Sequence, residues 1–295
     1  MSKPAISVQL YSARDHLDDL DGTLAKLVEI GLRNVEGFAF INDPQPLADA
    51  FAKAGVKCPT GHAPFLSDTV HGNVVPPMEQ VFEAARTVGI EWLIDPFVEA
   101  ERWTTAEGVD EIAARMNQAA KLAAGYGLRL GYHNHSQEIT PKINGVTALE
   151  YFASQLDDSV KLEVDAFWAT VGGEDVVELL GRLGDRVHAL HIKDTDKDVV
   201  GMPMMEAVGT GQLPAGKGQL PMAEVIAAAP ECEYVVIEFD KYEGDVFEAI
   251  RPATTTWQVS GWSELTPHSD TGRGAQAPRP VLIPRPGPGS WSGCG

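Results

Sequence analysis

The segment VKLEVDAFWATVGGEDVVELLGRLGDRVHALHIKD, residues 160–194, contains two apolar runs of strand length on either side of a helical pattern. VKLEVD and RVHALHI are short and almost continuously apolar, which is typical of parallel strands covered on both faces. VVELLGRLG has the spacing of an amphipathic helix, and Gly184 suits a C-cap with positive φ. The segment therefore predicts one β–α–β unit.

The same alternation continues on both sides of this unit. The other strand candidates are AISVQLY, RNVEGF, KCPTGH, EWLIDPF, LRLGYHN and YVVIEFD, which begin at Ala5, Arg33, Lys57, Glu91, Leu128 and Tyr234. Eight strands that each precede a helical pattern predict an α/β fold, a (β/α)₈ TIM barrel. An open doubly wound sheet is the alternative, but nearly even repeats favour closure. We expect one barrel domain over residues 1–250, with functional residues at the C-terminal ends of its strands.

The last part of the chain, residues 251–295, has a different composition. It is rich in Pro, Gly, Ser and Thr and shows no apolar period, although the preceding DVFEAI has the pattern of a helix start. Such a composition is typical of a disordered tail, because it cannot bury an apolar face. Two interpretations stay open: a native disordered extension, or an anomalous ending produced by a shifted reading frame.

The charge balance excludes several classes of protein. The chain has 42 acidic and 23 basic residues, a formal charge of −19. A polyanion repels phosphate backbones and anionic lipid, so neither a nucleic-acid nor a membrane partner is expected. The longest apolar runs have only strand length, and the first residues lack an apolar signal region. The three cysteines form no CxxC pair, which suits a reducing cytoplasm and excludes a disulfide scaffold.

Side chains that can bind metal collect at the ends of the last four strand candidates. They are His133, His135 and Glu138; Glu163 and Asp165; His188, His191, Lys193 and Asp194; and Glu238 and Asp240. Any one of them alone is more often a loop cap than a ligand. Four successive buried strands with charged ends, however, need a common counter-ion, and Lys193 is the nearby basic residue. Oxygen-rich ligation with imidazole predicts Mn²⁺, Co²⁺ or Mg²⁺ rather than a structural zinc.

One glycine-rich segment has the spacing of a phosphate-binding loop. GQLPAGKG, residues 211–218, matches G-x-x-x-x-G-K, but it contains Pro214 and lacks the Ser or Thr that would follow the lysine. A nucleotide site is therefore not expected. We interpret residues 208–220 as a loop that covers the barrel mouth.

Five motifs in this order resemble the xylose-isomerase-like sugar phosphate isomerase/epimerase family. They are VQLYSARD, YHNHSQE, LEVDAFWA, HIKD and VIEFD, in the first and the last four predicted strands. The resemblance covers about residues 4–250, and the family includes ketose 3-epimerases, inosose dehydratases and hydroxypyruvate isomerases. It implies a metal-dependent TIM barrel that acts on a small sugar or keto-sugar in the cytoplasm, with homo-oligomerisation left open.

The resemblance also assigns residues. By position, the implied metal ligands are Glu138, Asp165, His191 and Glu238. The two glutamates also correspond to the family's catalytic acid/base pair. The positions that would contact substrate are Glu36, His62, His133 and Lys193. The expected cofactor is one divalent ion, with Mn²⁺ ahead of Mg²⁺, Co²⁺ and Zn²⁺.

The implied chemistry is proton transfer next to a carbonyl. A divalent ion would stabilise an enediolate, to which Lys193 would add positive charge, while one glutamate removes the proton and another returns it. This isomerises or epimerises the sugar. The alternatives are a keto-sugar or keto-glycoside lyase or an inosose-type dehydratase, which expels a leaving group from the same enediolate, and a non-catalytic subunit. Trp168, where ketose 3-epimerases have a histidine, either stacks on the sugar or fills the core.

Overall fold

An eight-stranded parallel barrel forms the body of the computed structural model, which describes residues 3–251. Its strands are β1 Ala5–Val8, β2 Asn34–Gly37, β3 Lys57–His62, β4 Trp92–Asp95, β5 Arg129–His133, β6 Lys161–Asp165, β7 Val187–Ile192 and β8 Tyr234–Ile237. The strands pair in the order β1-β8-β7-β6-β5-β4-β3-β2. A single bridge between Gln9 and Glu36 connects β1 to β2, so the barrel is nearly closed. The predicted TIM barrel is confirmed, and the open-sheet alternative is wrong.

Helices follow the strands along the chain and pack around the barrel. They are α1 Leu20–Ile30, α2 Pro44–Ala54, α3 Met78–Val88, α4 Ala106–Ala123, α5 Ala148–Gln155, α6 Ala166–Val171, α7 Val176–Leu183, α8 Met204–Gly209 and α9 Met222–Ala227. Residues 246–251 are also helical, as the DVFEAI pattern indicates. Within residues 3–251 no helix is both long enough and apolar enough to cross a bilayer.

Helix α1 shows how local sequence fixes these elements. The side chain of Asp19 accepts a hydrogen bond from Gly22 N at 3.0 Å, which satisfies one backbone donor at the helix start. The helix ends at Gly31, whose φ of 106° favours glycine. Leu24 and Leu27 are fully buried against the barrel, and each contributes about 1.5–3 kcal/mol of transfer free energy.

The barrel interior changes from apolar to polar along its axis. Trp92, Ile94 and Ala189 form a small apolar cluster that is separate from the large core between strands and helices. Gly131 makes room for the indole, because a Cβ at that position would lie 2.7 Å from Trp92 Nε1. Farther along, inward-facing positions such as Asp165 are polar, and they lie at the end where TIM barrels carry their active sites.

The sequence predicts a boundary between a barrel domain, residues 1–250, and a tail, residues 251–295. The barrel elements lie within the predicted domain of residues 1–250. The tail predicted for residues 251–295 lies outside the described part of the chain, apart from Arg251. Its two interpretations therefore stay predictions.

Candidate active site

Four side chains from adjacent strands meet at the C-terminal end of the barrel. His133 ends β5, Asp165 ends β6, His191 lies on β7 and Glu238 directly follows β8. The pairing register sets Asp165 opposite His191. One ligand atom from each residue, an imidazole nitrogen or a carboxylate oxygen, lies within 4.8 Å of the others, and all four residues are buried. We call these four residues the upper cluster.

A second group, Glu36, His62 and Glu163, lies against the same imidazoles, and we call it the lower cluster. His62 Nε2 lies 2.6 Å from Glu163 Oε2 and 3.1 Å from Glu36 Oε1. His191 Nε2 lies 2.6 Å from Glu36 Oε1, and His133 Nδ1 lies 3.4 Å from Glu163 Oε2. The lower cluster therefore faces one nitrogen of each upper-cluster imidazole.

The other nitrogen of each imidazole faces the upper carboxylates. His191 Nδ1 lies 3.1 Å from Glu238 Oε2, and His133 Nε2 lies 4.0 Å from Asp165 Oδ2. A carboxylate on the far side of a histidine ring fixes its orientation and its tautomer, as it does behind metal-bound histidines. The lower cluster is thus placed to orient the two imidazoles of the upper cluster, and its His62 and Glu163 form with them a second group that could hold a metal ion.

Burial and charge act in opposite directions within the two clusters. Burial lowers the pKa of His133 well below its usual value, which favours the neutral imidazole. Burial also opposes protonation of His191, but Glu163 and Glu238 outweigh it and raise its pKa well above the usual value. For Glu163 burial raises the pKa, yet His191 and His62 hold it well below the usual range. The protonation of each of these groups therefore depends on the charges of its neighbours.

The donor set of the upper cluster suits a divalent metal ion. Imidazole nitrogens together with carboxylate oxygens bind Mn²⁺, Co²⁺ and Zn²⁺. Asp165 Oδ1 accepts a hydrogen bond from Trp168 N at 2.8 Å, which orients the carboxylate and leaves Oδ2 for the cluster. In the lower cluster, Glu36 Oε2 and Glu163 Oε1 are buried without a hydrogen-bond partner. The hydrogen-bonding capacity of these two carboxylates is therefore not fully used by the protein.

The structure does not bring Glu138 into the upper cluster. Glu138 lies in a 3₁₀ turn, Ser136–Glu138, that directs its side chain into the barrel wall. Its Oε1 accepts from the Tyr132 hydroxyl at 2.7 Å, and its Oε2 accepts from His135 N at 2.8 Å. Three of the four predicted ligands thus meet, and His133, predicted as a substrate contact, is the fourth member.

The remaining predicted substrate contacts are buried around the clusters. Glu36 is fully buried and accepts from Gln9 Nε2 at 2.8 Å, and the His62 side chain is 10% exposed. Trp168, on α6, is 1% exposed and lies 5.5 Å from the His135 ring, measured between ring centroids. Its indole therefore belongs to the wall of the site.

Lys193, the fourth predicted substrate contact, is fully buried beside the upper cluster. Its Nζ lies 2.6 Å from Asp165 Oδ2 and 3.1 Å from Asp240 Oδ2, and it also contacts Glu238 Oε2. Burial opposes the ammonium form, but these three carboxylates outweigh it and raise the pKa of Lys193 well above its usual value.

The glycine-rich loop after β7 is held by a carboxylate of the chain itself. Asp194 accepts backbone hydrogen bonds from Gly216 N at 3.0 Å, Gly218 N at 2.9 Å and Leu220 N at 3.0 Å. Position 218 requires glycine, because a Cβ there would lie 2.2 Å from the Thr195 carbonyl oxygen. The amides that would bind phosphate in a phosphate loop are therefore occupied, which agrees with the sequence argument against a nucleotide site.

We expect Asp194→Asn to loosen this loop. The amide group replaces an acceptor oxygen by a donor, so the part-buried hydrogen bonds from Gly216 N and Gly218 N lose their acceptor. Hydrogen exchange at Gly216 and Gly218 should accelerate, and the free energy of unfolding should fall. Asp198→Asn, in the same segment but exposed, is the control. Unchanged exchange at both glycines would contradict the role of Asp194.

Glu138 predicts a specific pH dependence of stability. Burial raises its pKa from 4.5 to about 7, so the folded protein binds this proton more tightly than the unfolded chain does. The stabilisation is complete below about pH 4.5 and is lost as the pH rises through 7. In urea unfolding, wild type should lose up to about 1.4 kcal/mol per pH unit relative to Glu138→Gln in this window.

Glu150→Gln is the matched control for this measurement. Arg182 Nε donates to Glu150 Oε1 at 2.6 Å, and despite the opposing effect of burial the pKa of Glu150 is lowered. Its contribution should therefore decrease as the pH falls, the opposite direction. A pH-independent difference between wild type and Glu138→Gln would show that Glu138 does not titrate in this range.

Asp95 holds part of the barrel mouth in place, and the sequence analysis did not single it out. Asp95, at the end of β4, accepts from the backbone N–H groups of Phe65 at 2.6 Å, Leu66 at 2.7 Å and Phe97 at 3.0 Å. It thereby fixes two loops at the rim. The sequence did contain a signal for this residue: in EWLIDPF, Asp95 directly follows an apolar run, as the acidic residues of the later strands do.

Comparison with known proteins agrees with the observed fold. The family model for the xylose isomerase-like TIM barrel matches residues 24–254. An inosose dehydratase of Geobacillus kaustophilus (strain HTA426) is 28% identical over 153 residues, which is 48% of each chain, so the match spans about half the length of this relative.

Two solved structures share the fold. A sugar phosphate isomerase/epimerase from Parabacteroides distasonis ATCC 8503 superposes with a TM-score of 0.69 at 20% identity, covering 89% of this chain and 96% of that one. The IolI protein with a bound zinc atom gives a TM-score of 0.67 at 16% identity, covering 89% and 99%. With the family match over most of the chain, these findings confirm the predicted family: the protein belongs to the xylose isomerase-like TIM barrels.

Proposed function

We propose that this protein is a divalent-metal-dependent enzyme that moves a proton next to the carbonyl of a keto-sugar, as an isomerase or epimerase. The observation that carries the proposal is the upper cluster, two imidazoles and two carboxylates within 4.8 Å at the C-terminal end of a TIM barrel. A structural role alone would not require so many charged groups at 7% exposure or less.

The residues that would hold the ion are the four members of the upper cluster. We therefore propose Asp165, His191 and Glu238 from the predicted set, with His133 in place of Glu138. Mn²⁺ is the proposed ion, since it accepts carboxylate and imidazole ligands together. Zn²⁺ is the alternative, because the structurally similar IolI protein contains a zinc atom.

When bound, the ion would supply Lewis-acid polarisation of the substrate carbonyl. The chain's own residues provide the rest. Glu238 is the most exposed member of the cluster, at 7%, and we propose it as the group that removes the proton and, for isomerisation, returns it to the neighbouring carbon. Both oxygens of Glu138 already accept hydrogen bonds inside the wall, so the geometry favours Glu238 for this role. Epimerisation would need a second proton donor on the opposite face of the substrate.

Aromatic residues at the rim suit a sugar ring. Tyr11 follows β1, is 39% exposed and lies edge-on to Phe38, with 5.5 Å between the ring centroids. Phe97 follows β4 and lies 4.4 Å from the His71 ring by the same measure. We propose that these side chains contact the apolar faces of the substrate, a role that buried Trp168 is not placed to fill.

A lyase or dehydratase is the second candidate. It is favoured by the inosose dehydratase that aligns with about half of this chain. The same cluster would serve both reactions, because each begins with removal of a proton beside a carbonyl. The two reactions differ in their second step, which is either return of the proton or expulsion of a leaving group from the neighbouring carbon.

Proton exchange in D₂O separates the candidates. The protein with Mn²⁺ is incubated with 2-keto and 3-keto sugars and inososes, and the products are followed by NMR. Deuterium beside the carbonyl without elimination supports the isomerase or epimerase, whereas release of water or an aglycone supports the lyase. Absence of both reactions across these substrates would contradict the proposal and favour a non-catalytic subunit.

A further inference from the structure

Lys193 occupies an unusual position for a lysine. Its side chain is fully buried, and its Nζ contacts the carboxylates of Asp165, Glu238 and Asp240. The rings of Phe167 and Trp168 lie 5.8 Å from the ammonium, measured to their centroids. This environment stabilises a positive charge and excludes water from it.

The ammonium contacts the oxygens that face the imidazoles. Asp165 Oδ1 is used by Trp168 N, so the oxygen that remains is Oδ2, which lies 2.6 Å from Lys193 Nζ. Glu238 Oε2, which lies 3.1 Å from His191 Nδ1, is the oxygen of this glutamate that Lys193 contacts. The lysine therefore contacts the carboxylate oxygens of Asp165 and Glu238 that face the imidazole nitrogens of the upper cluster.

The third partner of the ammonium lies outside the upper cluster. Gln212, in the glycine-rich loop, makes two hydrogen bonds with Asp240. Gln212 Nε2 donates to Asp240 Oδ2 at 2.7 Å, and Asp240 N donates to Gln212 Oε1 at 2.8 Å. The two contacts fix Asp240 independently of Asp165 and Glu238. The ammonium therefore keeps Asp240 as a partner if Asp165 and Glu238 bind a metal cation.

We infer that Lys193 is the resident counter-ion of the metal-free site: it neutralises Asp165 and Glu238 until a divalent ion takes them over, and then remains paired with Asp240. The inference rests on the proposed metal site. Buried carboxylates left without a cation are strongly destabilising, and two cations near the same oxygens repel each other. Lys193 therefore keeps the empty site folded and at the same time lowers its affinity for the metal.

The test compares Lys193→Met with wild type after complete removal of metal. The metal-free variant should have a lower melting temperature, and Mn²⁺ should restore it. Calorimetric titration should show Mn²⁺ affinity raised at least about tenfold, because one competing charge is gone. A purely structural lysine would instead weaken metal binding when removed.

Two further variants complete the design. Lys193→Gln repeats the measurement with hydrogen-bond donors retained and the charge removed, and it should also raise the affinity, which keeps the test available if Lys193→Met does not fold. Lys161→Met is the control, because Lys161 begins β6 at the far end of the barrel and bonds the Asp185 carbonyl oxygen. The control should leave the difference between the metal-free and the metal-bound melting temperatures unchanged. It should also leave the affinity for Mn²⁺ unchanged.

The outcomes separate the inference from the proposed function. If wild type binds Mn²⁺ and the Lys193 variants bind it equally or more weakly, the inference is overturned and the metal site stands. If wild type binds no Mn²⁺ but the variants do, the inference is supported and metal-dependent catalysis by the natural chain is contradicted. If none of the proteins binds Mn²⁺, both are overturned.

Discussion

Asp165→Asn should abolish tight binding of a divalent ion and reduce keto-sugar proton exchange to background. Asp165 ends β6, is fully buried and directs Oδ2 towards both imidazoles of the upper cluster, at 4.0 Å from each. Loss of an outer-sphere partner already costs about 10–100-fold in metal affinity. Removing a charged member of the cluster should therefore lower the calorimetric affinity for Mn²⁺ by more than about 100-fold.

Asp158→Asn is the control for this prediction. Asp158 lies in the turn before β6, has a fully exposed side chain, and its ion pair with Arg186 should contribute little. The control should retain wild-type affinity and exchange. If Asp165→Asn bound Mn²⁺ as tightly as wild type, the upper cluster would not be a metal site.

Glu36→Gln should weaken metal binding by about 10–100-fold although Glu36 is outside the upper cluster. His191 Nε2 lies 2.6 Å from Glu36 Oε1, and a proton held on Nε2 would leave Nδ1, which faces Glu238 Oε2 at 3.1 Å, as the nitrogen that could bind a cation. An amide is a weaker acceptor and can itself donate, so the ring loses its fixed tautomer. The calorimetric affinity for Mn²⁺ measures the effect.

Glu233→Gln provides the matched comparison. His188 Nδ1 lies 2.8 Å from Glu233 Oε1, a similar histidine–carboxylate contact on the same strand, β7, but at the opposite end of the barrel. This variant should bind Mn²⁺ as wild type does. Equal affinity in Glu36→Gln and wild type would mean that the lower cluster does not orient His191.

The barrel was predictable because its signals are local. Short apolar runs and helical periods are properties of neighbouring residues, and glycines mark helix ends: Gly55 and Gly89 have φ of 67° and 89°, and Gly184 has φ of 58°. Local patterning cannot show how the barrel closes. The bridge between Gln9 and Glu36, which joins the first and second strands, has no signature in the sequence.

The position of Glu138 shows that motif spacing alone does not predict the direction of a side chain beyond the end of a strand. Asp165 and His191 lie within their strands, so the strand period fixes their direction. Strand β5 ends at His133, and the next residues form a 3₁₀ turn in which side-chain direction depends on local hydrogen bonds. The hydrogen bond from the Tyr132 hydroxyl turns Glu138 into the wall, and this contact is not readable from YHNHSQE.

The lower cluster could not be assembled from the sequence. Glu36 and His191 are 155 residues apart, and only closure of the barrel brings β2 next to the residues of β7. Both residues were singled out, but for different roles: Glu36 as a substrate contact and His191 as a ligand. Their direct contact is a long-range packing result, which neither period nor spacing encodes.

The metal content of the purified protein tests the central claim most directly. The account predicts about one divalent ion per chain by elemental analysis after reconstitution with Mn²⁺ and removal of excess. Combined replacement of His133 and Asp165 should reduce this content to zero, because it removes half of the upper cluster. A wild-type protein that retains no ion and still catalyses exchange beside a keto-sugar carbonyl would contradict the account.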